Sequence, residues 1–235
     1  MKKRPSMRTL GTSALALSAI ALVSAVPAAA HGSDNAKGRG ADRTVSLSAD
    51  LTELNGSGAS GSATLIVRNQ KIQHVEVHAT GLSPDAPHAQ HIHYGDEARN
   101  ECPGLFDDTN GDGRITTVEG VPAYGPVVVS LTTTGDTSPT SVLAVDRYPV
   151  SADGSYHYVR SNIEFTDVSG TGYAGGDGSA KQIADSIREG EGVLVIHGID
   201  YDGSGDYSLS SEGASELDPA LPAEATDPAV CGVLR

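Results

Sequence analysis

The chain has 235 residues, with 16 Lys and Arg against 30 Asp and Glu, for a net charge of −14. That balance excludes a nucleic-acid binder, since phosphate contacts need clustered Lys and Arg. With 28 Gly, no Trp and 38% apolar residues, the composition excludes a coiled coil, a helical bundle and wholesale disorder, and it describes an acidic, turn-rich β protein.

The first thirty residues read as a targeting segment. Lys2, Lys3, Arg4 and Arg8 make a basic start, and an apolar run follows from Leu15 to Val26. Pro27-Ala28-Ala29-Ala30 is a small-residue cleavage signature, so residues 1–30 are expected to be a secretory signal peptide. A membrane anchor is the competing reading, but the run is short and interrupted by Ser18 and Ser24. Cleavage would remove four positive charges and take the mature chain to −18. The product would be secreted, extracellular or in the cell envelope, with no membrane span left and with disulfides permitted. His31 would become the new N-terminus, a position that can chelate copper; residues 31–43 otherwise read as flexible linker.

Residues 44–235 then read as one domain. Strand-like segments separated by turn signals run over Thr44–Leu51, Ser62–Val67, Ile72–Ala79, Ala89–Tyr94, Pro126–Thr133, Val142–Val145, Ser155–Phe165 and Val193–Ile199. In Ile72–Ala79, Val75, Val77 and Ala79 share one face, with His74, Glu76 and His78 on the other. One helix is predicted over Ala180–Glu189, stopped by Gly190. Eight short strands fit an all-β antiparallel Greek-key sandwich or barrel with one short helix. Residues 204–230 read as a long surface return to Cys231. Cys102 and Cys231 are the only cysteines, and in an oxidising compartment they are expected to bridge.

Residues 108–119 carry the strongest motif. Asp108, Asn110 and Asp112 stand at positions 1, 3 and 5 of a twelve-residue calcium loop of the EF-hand type. Gly113 falls where the chain must turn sharply. Arg114 would offer its carbonyl, Thr116 stands at position 9, Ile115 supplies the apolar anchor and Glu119 closes the loop bidentately. The Pro and Gly residues on either side argue against long flanking helices, so the loop reads as a lone calcium clip between strands. An ion-free Asp/Gly-rich turn is the blander reading. A second acidic run, Asp200 to Asp206, reads as a turn of solvated carboxylates.

Five of the eight histidines lie between His74 and His93. His91 and His93 form His-X-His on a predicted strand, where both rings leave one face and can share a metal. His74 and His78 are four apart, about 13 Å along a strand, too far for one ion. His157, between Tyr156 and Tyr158, stands either as a further ligand or as packing.

The run Gly81-Leu82-Ser83-Pro84-Asp85-Ala86-Pro87-His88-Ala89-Gln90-His91-Ile92-His93-Tyr94-Gly95-Asp96 resembles the copper-ligand strand of copper/zinc superoxide dismutases. Cys102, nine positions beyond His93, and Ala229-Val230-Cys231-Gly232-Val233-Leu234 resemble that family's cysteine segments, and Val193-Leu194-Val195-Ile196-His197 resembles its late ligand strand. The His88–His93 segment also looks like the Ala-His-Ile-His signature of CHRD domains, a secreted β module. The resemblance implies a superoxide dismutase-like or CHRD-like sandwich. It implies a copper or zinc site at His91, His93 and His197, with His88 beside it. It departs from the dismutase pattern where no His occurs between His93 and His157, where the calcium-type loop replaces the zinc loop, and where Thr226-Asp227-Pro228-Ala229 lacks the anion-guiding Arg. These observations predict a secreted metal-binding protein, with a copper-only superoxide dismutase or a cell-surface or matrix interaction module as the alternatives.

Overall fold

The structure, a computed structural model, describes residues 43–169 and 177–235. The predicted signal peptide, and the linker up to residue 42, lie outside the described residues. The strands are β1 (Thr44–Glu53), β2 (Ser60–Arg68), β3 (Lys71–Thr80), β4 (Gln90–His93), β5 (Val127–Ser130), β6 (Tyr156–Glu164), a two-residue pair β7 (Val168–Ser169) and β8 (Asp177–Gly178), β9 (Val193–His197) and β10 (Pro228–Val233). Among the described residues the α-helices are α1 (Thr117–Tyr124), α2 (Ala180–Arg188) and α3 (Ala223–Thr226). The fold is all-β and antiparallel, one eight-stranded sheet in the order β5-β4-β9-β10-β1-β2-β3-β6. The two halves join where Thr52 and Glu53 pair with Cys231 and Val230. The connections from β3 to β4, β5 to β6 and β6 to β9 cross between the halves. Among the described residues no helix is long and apolar enough to cross a membrane.

The halves differ in how they meet water, and that difference places the site. In β1, β2 and β3 burial alternates with period two: Leu47, Ala49 and Leu51, then Ala63, Leu65 and Val67, then Val75, Val77 and Ala79 turn into the core. Their other faces are exposed or half-buried. In β4, β9 and β10 nearly every residue is buried. Ile92, Leu194, Ile196 and Val230 join the core, together with Ile183, Ala184 and Ile187 of α2. The opposite side of these strands is covered as well, with Val193, Val195 and Cys231 packing against Tyr124.

α2 forms where the sequence predicts a helix, over Ala180–Arg188, with Ser179 capping its first turn. Three elements differ from the sequence reading. Val142–Val145 is not a strand, because Pro139–Ser141 and Val145–Arg147 are single 3₁₀ turns. Asp136 accepts hydrogen bonds from the Ser138 and Ser141 hydroxyls and holds that segment curled. Residues 228–233 form a central strand rather than a surface return; buried on both faces, it lacks the alternation that announces a strand. The acidic loop runs directly into α1, whose cap is reciprocal: Thr116 accepts from the Glu119 amide and Glu119 accepts from the Thr116 amide. A Cβ at Gly120 would lie 2.4 Å from the Tyr124 ring, so this helix packs its tyrosine only because position 120 is glycine.

Cys102 and Cys231 are bridged across a sequence separation of 129, tying the loop after β4 to the middle of β10. Closing so long a loop constrains the unfolded chain strongly. Cys102→Ala with Cys231→Ala is expected to lower unfolding stability by about 3–5 kcal/mol, measured by urea denaturation.

Candidate metal centre

β4 and β9 pair in a register that places His91 opposite Val195 and His93 opposite Val193. Odd-numbered residues of both strands therefore face away from the core, and His197 lies one step further along the same row. His91, His93 and His197 are all buried, with ring centroids 5.7 Å apart for His91–His93, 5.2 Å for His91–His197 and 6.2 Å for His93–His197. One ligand nitrogen from each lies within 4.8 Å of the other two.

Hydrogen bonding fixes which nitrogens face inward. Nδ1 of His93 lies 2.9 Å from the Gly125 carbonyl, and Nδ1 of His197 lies 2.5 Å from the Thr226 carbonyl. A carbonyl only accepts, so both rings must carry their proton on Nδ1. Nε2 of His91 lies 2.8 Å from the Tyr148 hydroxyl, which itself donates to the Ser141 carbonyl at 2.8 Å. The hydroxyl proton is thus spent, and His91 donates from Nε2. What remains is Nδ1 of His91 and Nε2 of His93 and of His197, three buried nitrogens with no hydrogen-bond partner. Each bears a lone pair.

Burial holds all three rings neutral. It pushes His93 down to about 3 and His197 to about 4, and it puts His91 well below the ordinary imidazole value, with the neighbouring rings adding to the effect on His91 and His93. The pocket above the rings is lined by Val127, Val142, Leu143, Leu217 and Leu221, and among the described residues no Lys or Arg takes part in its lining. Buried polar atoms without partners are rare in proteins, and three converging ones are a donor set suited to a soft or borderline transition ion.

His88 lies outside this group. Its Nδ1 faces the His197 carbonyl at 2.8 Å and its Nε2 the Ser83 carbonyl at 3.0 Å, so both nitrogens are engaged in tying the chain before β4 to the end of β9. His74, His78 and His157 lie on the outer face of β3 and β6, away from the centre. Tyr148 and Thr117 were not singled out by the sequence. Thr117 donates through its hydroxyl to the same Thr226 carbonyl that fixes His197. A tyrosine in an irregular segment, or a threonine at the first position of a short helix, gives no periodic signal; only the folded register brings them here.

The acidic loop has the backbone form its motif suggests. Asp108 accepts from the Gly111 and Gly113 amides, Asn110 from Asp112 and Asp112 from Arg114, and Gly113 turns with a φ of 87°. Ile115 is anchored through both backbone groups by the Asn55 side-chain amide, at 2.7 and 2.9 Å. Glu119, however, is held by the Thr109 amide and hydroxyl and by the Thr116 amide. Its carboxylate is not among the described groups that bring three ligand atoms together. Arg114 leaves the loop to meet Asp227, which also accepts from the Tyr201 hydroxyl.

No family model matches this sequence, and no curated protein does. Among solved structures the chain is similar to Candida albicans superoxide dismutase 5, Cu(II), at 19% identity and a TM-score of 0.34. The match covers 66% of this chain and 84% of that one.

The Arg114–Asp227 pair joins the loop to the residue beside Thr226, and it carries a measurable energy. Burial pushes Asp227 up to about 6, against the downward pull of the guanidinium. Arg114→Ala leaves a buried carboxylate without its counter-charge, with the Tyr201 hydroxyl still donating to it, and is expected to cost about 3 kcal/mol at pH 8. The folded carboxyl then sits further above its unfolded value, so the native state binds the extra proton and the loss shrinks as pH falls toward 5. Asp227→Asn in the same background should restore most of the stability and flatten the pH dependence, read by thermal unfolding across that range.

Proposed function

We propose that this chain is a secreted metal-binding β protein in which His91, His93 and His197 hold one transition ion, copper or zinc. The single observation that carries the reading is the convergence of three buried imidazole nitrogens that lack any other partner. Metal-ligating histidines characteristically donate their second N–H to a fixed acceptor, and here Tyr148, Gly125 and Thr226 supply that acceptor for each ring. Three neutral imidazoles suit either oxidation state of copper, and they suit zinc when a fourth ligand enters. The basic, apolar and small-residue run over residues 1–30 supports export, and the Cys102–Cys231 bridge suits an oxidising compartment.

Copper-dependent superoxide dismutation is the enzymatic version of this reading. It would need an anion to reach the ion. The apolar lining and the net charge of −14 oppose that approach, so binding rather than turnover is the function proposed here. Loop 108–119 is proposed as a calcium clip, supported by the glycine turn and the pre-bent Asp108, Asn110 and Asp112 segment. Binding there would require Glu119 to release Thr109 and turn its carboxylate inward.

Purified mature protein is expected to take up one equivalent of copper at this centre by equilibrium dialysis and elemental analysis. His91→Ala should abolish that equivalent, and Tyr148→Phe, which frees the tautomer of His91, should weaken it about 10- to 100-fold. An unaltered copper count in His91→Ala would contradict the assignment. Copper-loaded protein should show no superoxide turnover above free copper. For the loop, Asp108→Ala with Glu119→Ala should erase any calcium-dependent rise in Tm.

A further inference from the structure

The outer face of the other half of the sheet carries a second set of ligand-type side chains. β3 presents His74, Glu76 and His78 to solvent, and β6, the edge strand, pairs with it so that His157 lies directly opposite His78. The two rings stack with centroids 4.1 Å apart and planes within 8° of parallel. Both turn Nε2 onto the same oxygen of Glu76, at 3.0 Å from His78 and 2.8 Å from His157. One ligand atom from each of the three lies within 4.8 Å of the others. His74 stands on the far side of the carboxylate, its Nε2 3.9 Å from the second oxygen.

We propose that Glu76, His78 and His157 form a second, solvent-open site for a divalent transition cation of the zinc type. Two imidazoles and one carboxylate are a donor set that binds zinc with a position left for water or an outside ligand. One ligand atom from each residue is within reach of the others, but the stacked rings aim their Nε2 atoms side by side, so binding requires one imidazole to rotate until its Nε2 points at the shared ion. Metal–nitrogen bonds of about 2.0–2.1 Å would then replace the two hydrogen bonds to Glu76. The side chains can do this, since Glu76 is 36% exposed, His78 54% and His157 51%. Among the described residues these side chains stay open to solvent, whereas Tyr148 and Leu143 close over the buried centre, so solvent ions can reach them. Cross-strand register does what spacing along one strand cannot: His74 and His78 are too far apart to share an ion, whereas His78 and His157 are neighbours. The protein's acidity adds a general attraction for cations.

This inference is independent of the buried centre and is tested apart from it. Zinc alone is the probe, with bound metal counted by equilibrium dialysis and elemental analysis. Wild type is compared with His78→Ala/His157→Ala, with Glu76→Gln, and with a His197→Ala protein that lacks the buried site. His78 and His157 are exposed and Glu76 is half-buried on the outer face, so the fold is expected to survive, with thermal unfolding as the check. The double variant should bind one equivalent fewer than wild type, and Glu76→Gln should bind that equivalent more weakly. His197→Ala should retain it, and zinc should shift the ring resonances of His78 and His157 together by NMR. Equal zinc counts in wild type and the double variant, or ring resonances unmoved by zinc, would overturn the proposal.

Discussion

The site depends on one constraint: three imidazoles are buried with one nitrogen each tied to a fixed acceptor and the other left facing its neighbours. Gly125 and Thr226 offer carbonyls, which accept only. Tyr148 offers a hydroxyl whose own proton already goes to Ser141. The tautomers are therefore set by the backbone and by one tyrosine before any ligand arrives. Leaving three lone pairs unsatisfied in an apolar pocket is costly, of the order of 1–3 kcal/mol for each buried polar group. A fold retains such a cost where the groups have a partner to receive.

That arrangement requires strands buried on both faces. β4 and β9 give Ile92, Leu194 and Ile196 to the core, and their alternate residues carry the histidines outward. The outward face would be wet were it not for segments 99–124 and 139–148 and the C-terminal return, which close over it. The disulfide clamps one of these segments to β10, and the Arg114–Asp227 pair clamps the acidic loop beside Thr226. Thr117 and His197 share the Thr226 carbonyl, so the end of the loop and the centre rest on one backbone group. The other half of the sheet keeps its outer face open, and its histidines consequently meet solvent.

Much of this was legible in the residues. Alternation in β3 announced a half-buried strand, and His-X-His at 91 and 93 announced two rings on one face. His197 was brought in only by likeness to a known ligand strand, because no local pattern links it to residues a hundred positions earlier. Tyr148 was not legible, since it belongs to an irregular segment misread in part as a strand. β10 escaped because burial on both faces removes the two-residue period, and Pro228 and Gly232 read as breakers. The pairing of His157 with His78 depends on strand order, which the sequence does not state. The motif at 108–119 gave the right backbone turn at Gly113, but not the engagement of Glu119 by Thr109 and Thr116, which is set by the helix cap at α1.

The most direct test of the central claim is pulsed electron paramagnetic resonance of the mature protein loaded with one equivalent of copper(II). The account predicts three coordinated imidazole nitrogens, and loss of that three-nitrogen spectrum in each of His91→Ala, His93→Ala and His197→Ala. A copper spectrum dominated by oxygen ligands, or one unchanged by those substitutions, would contradict it.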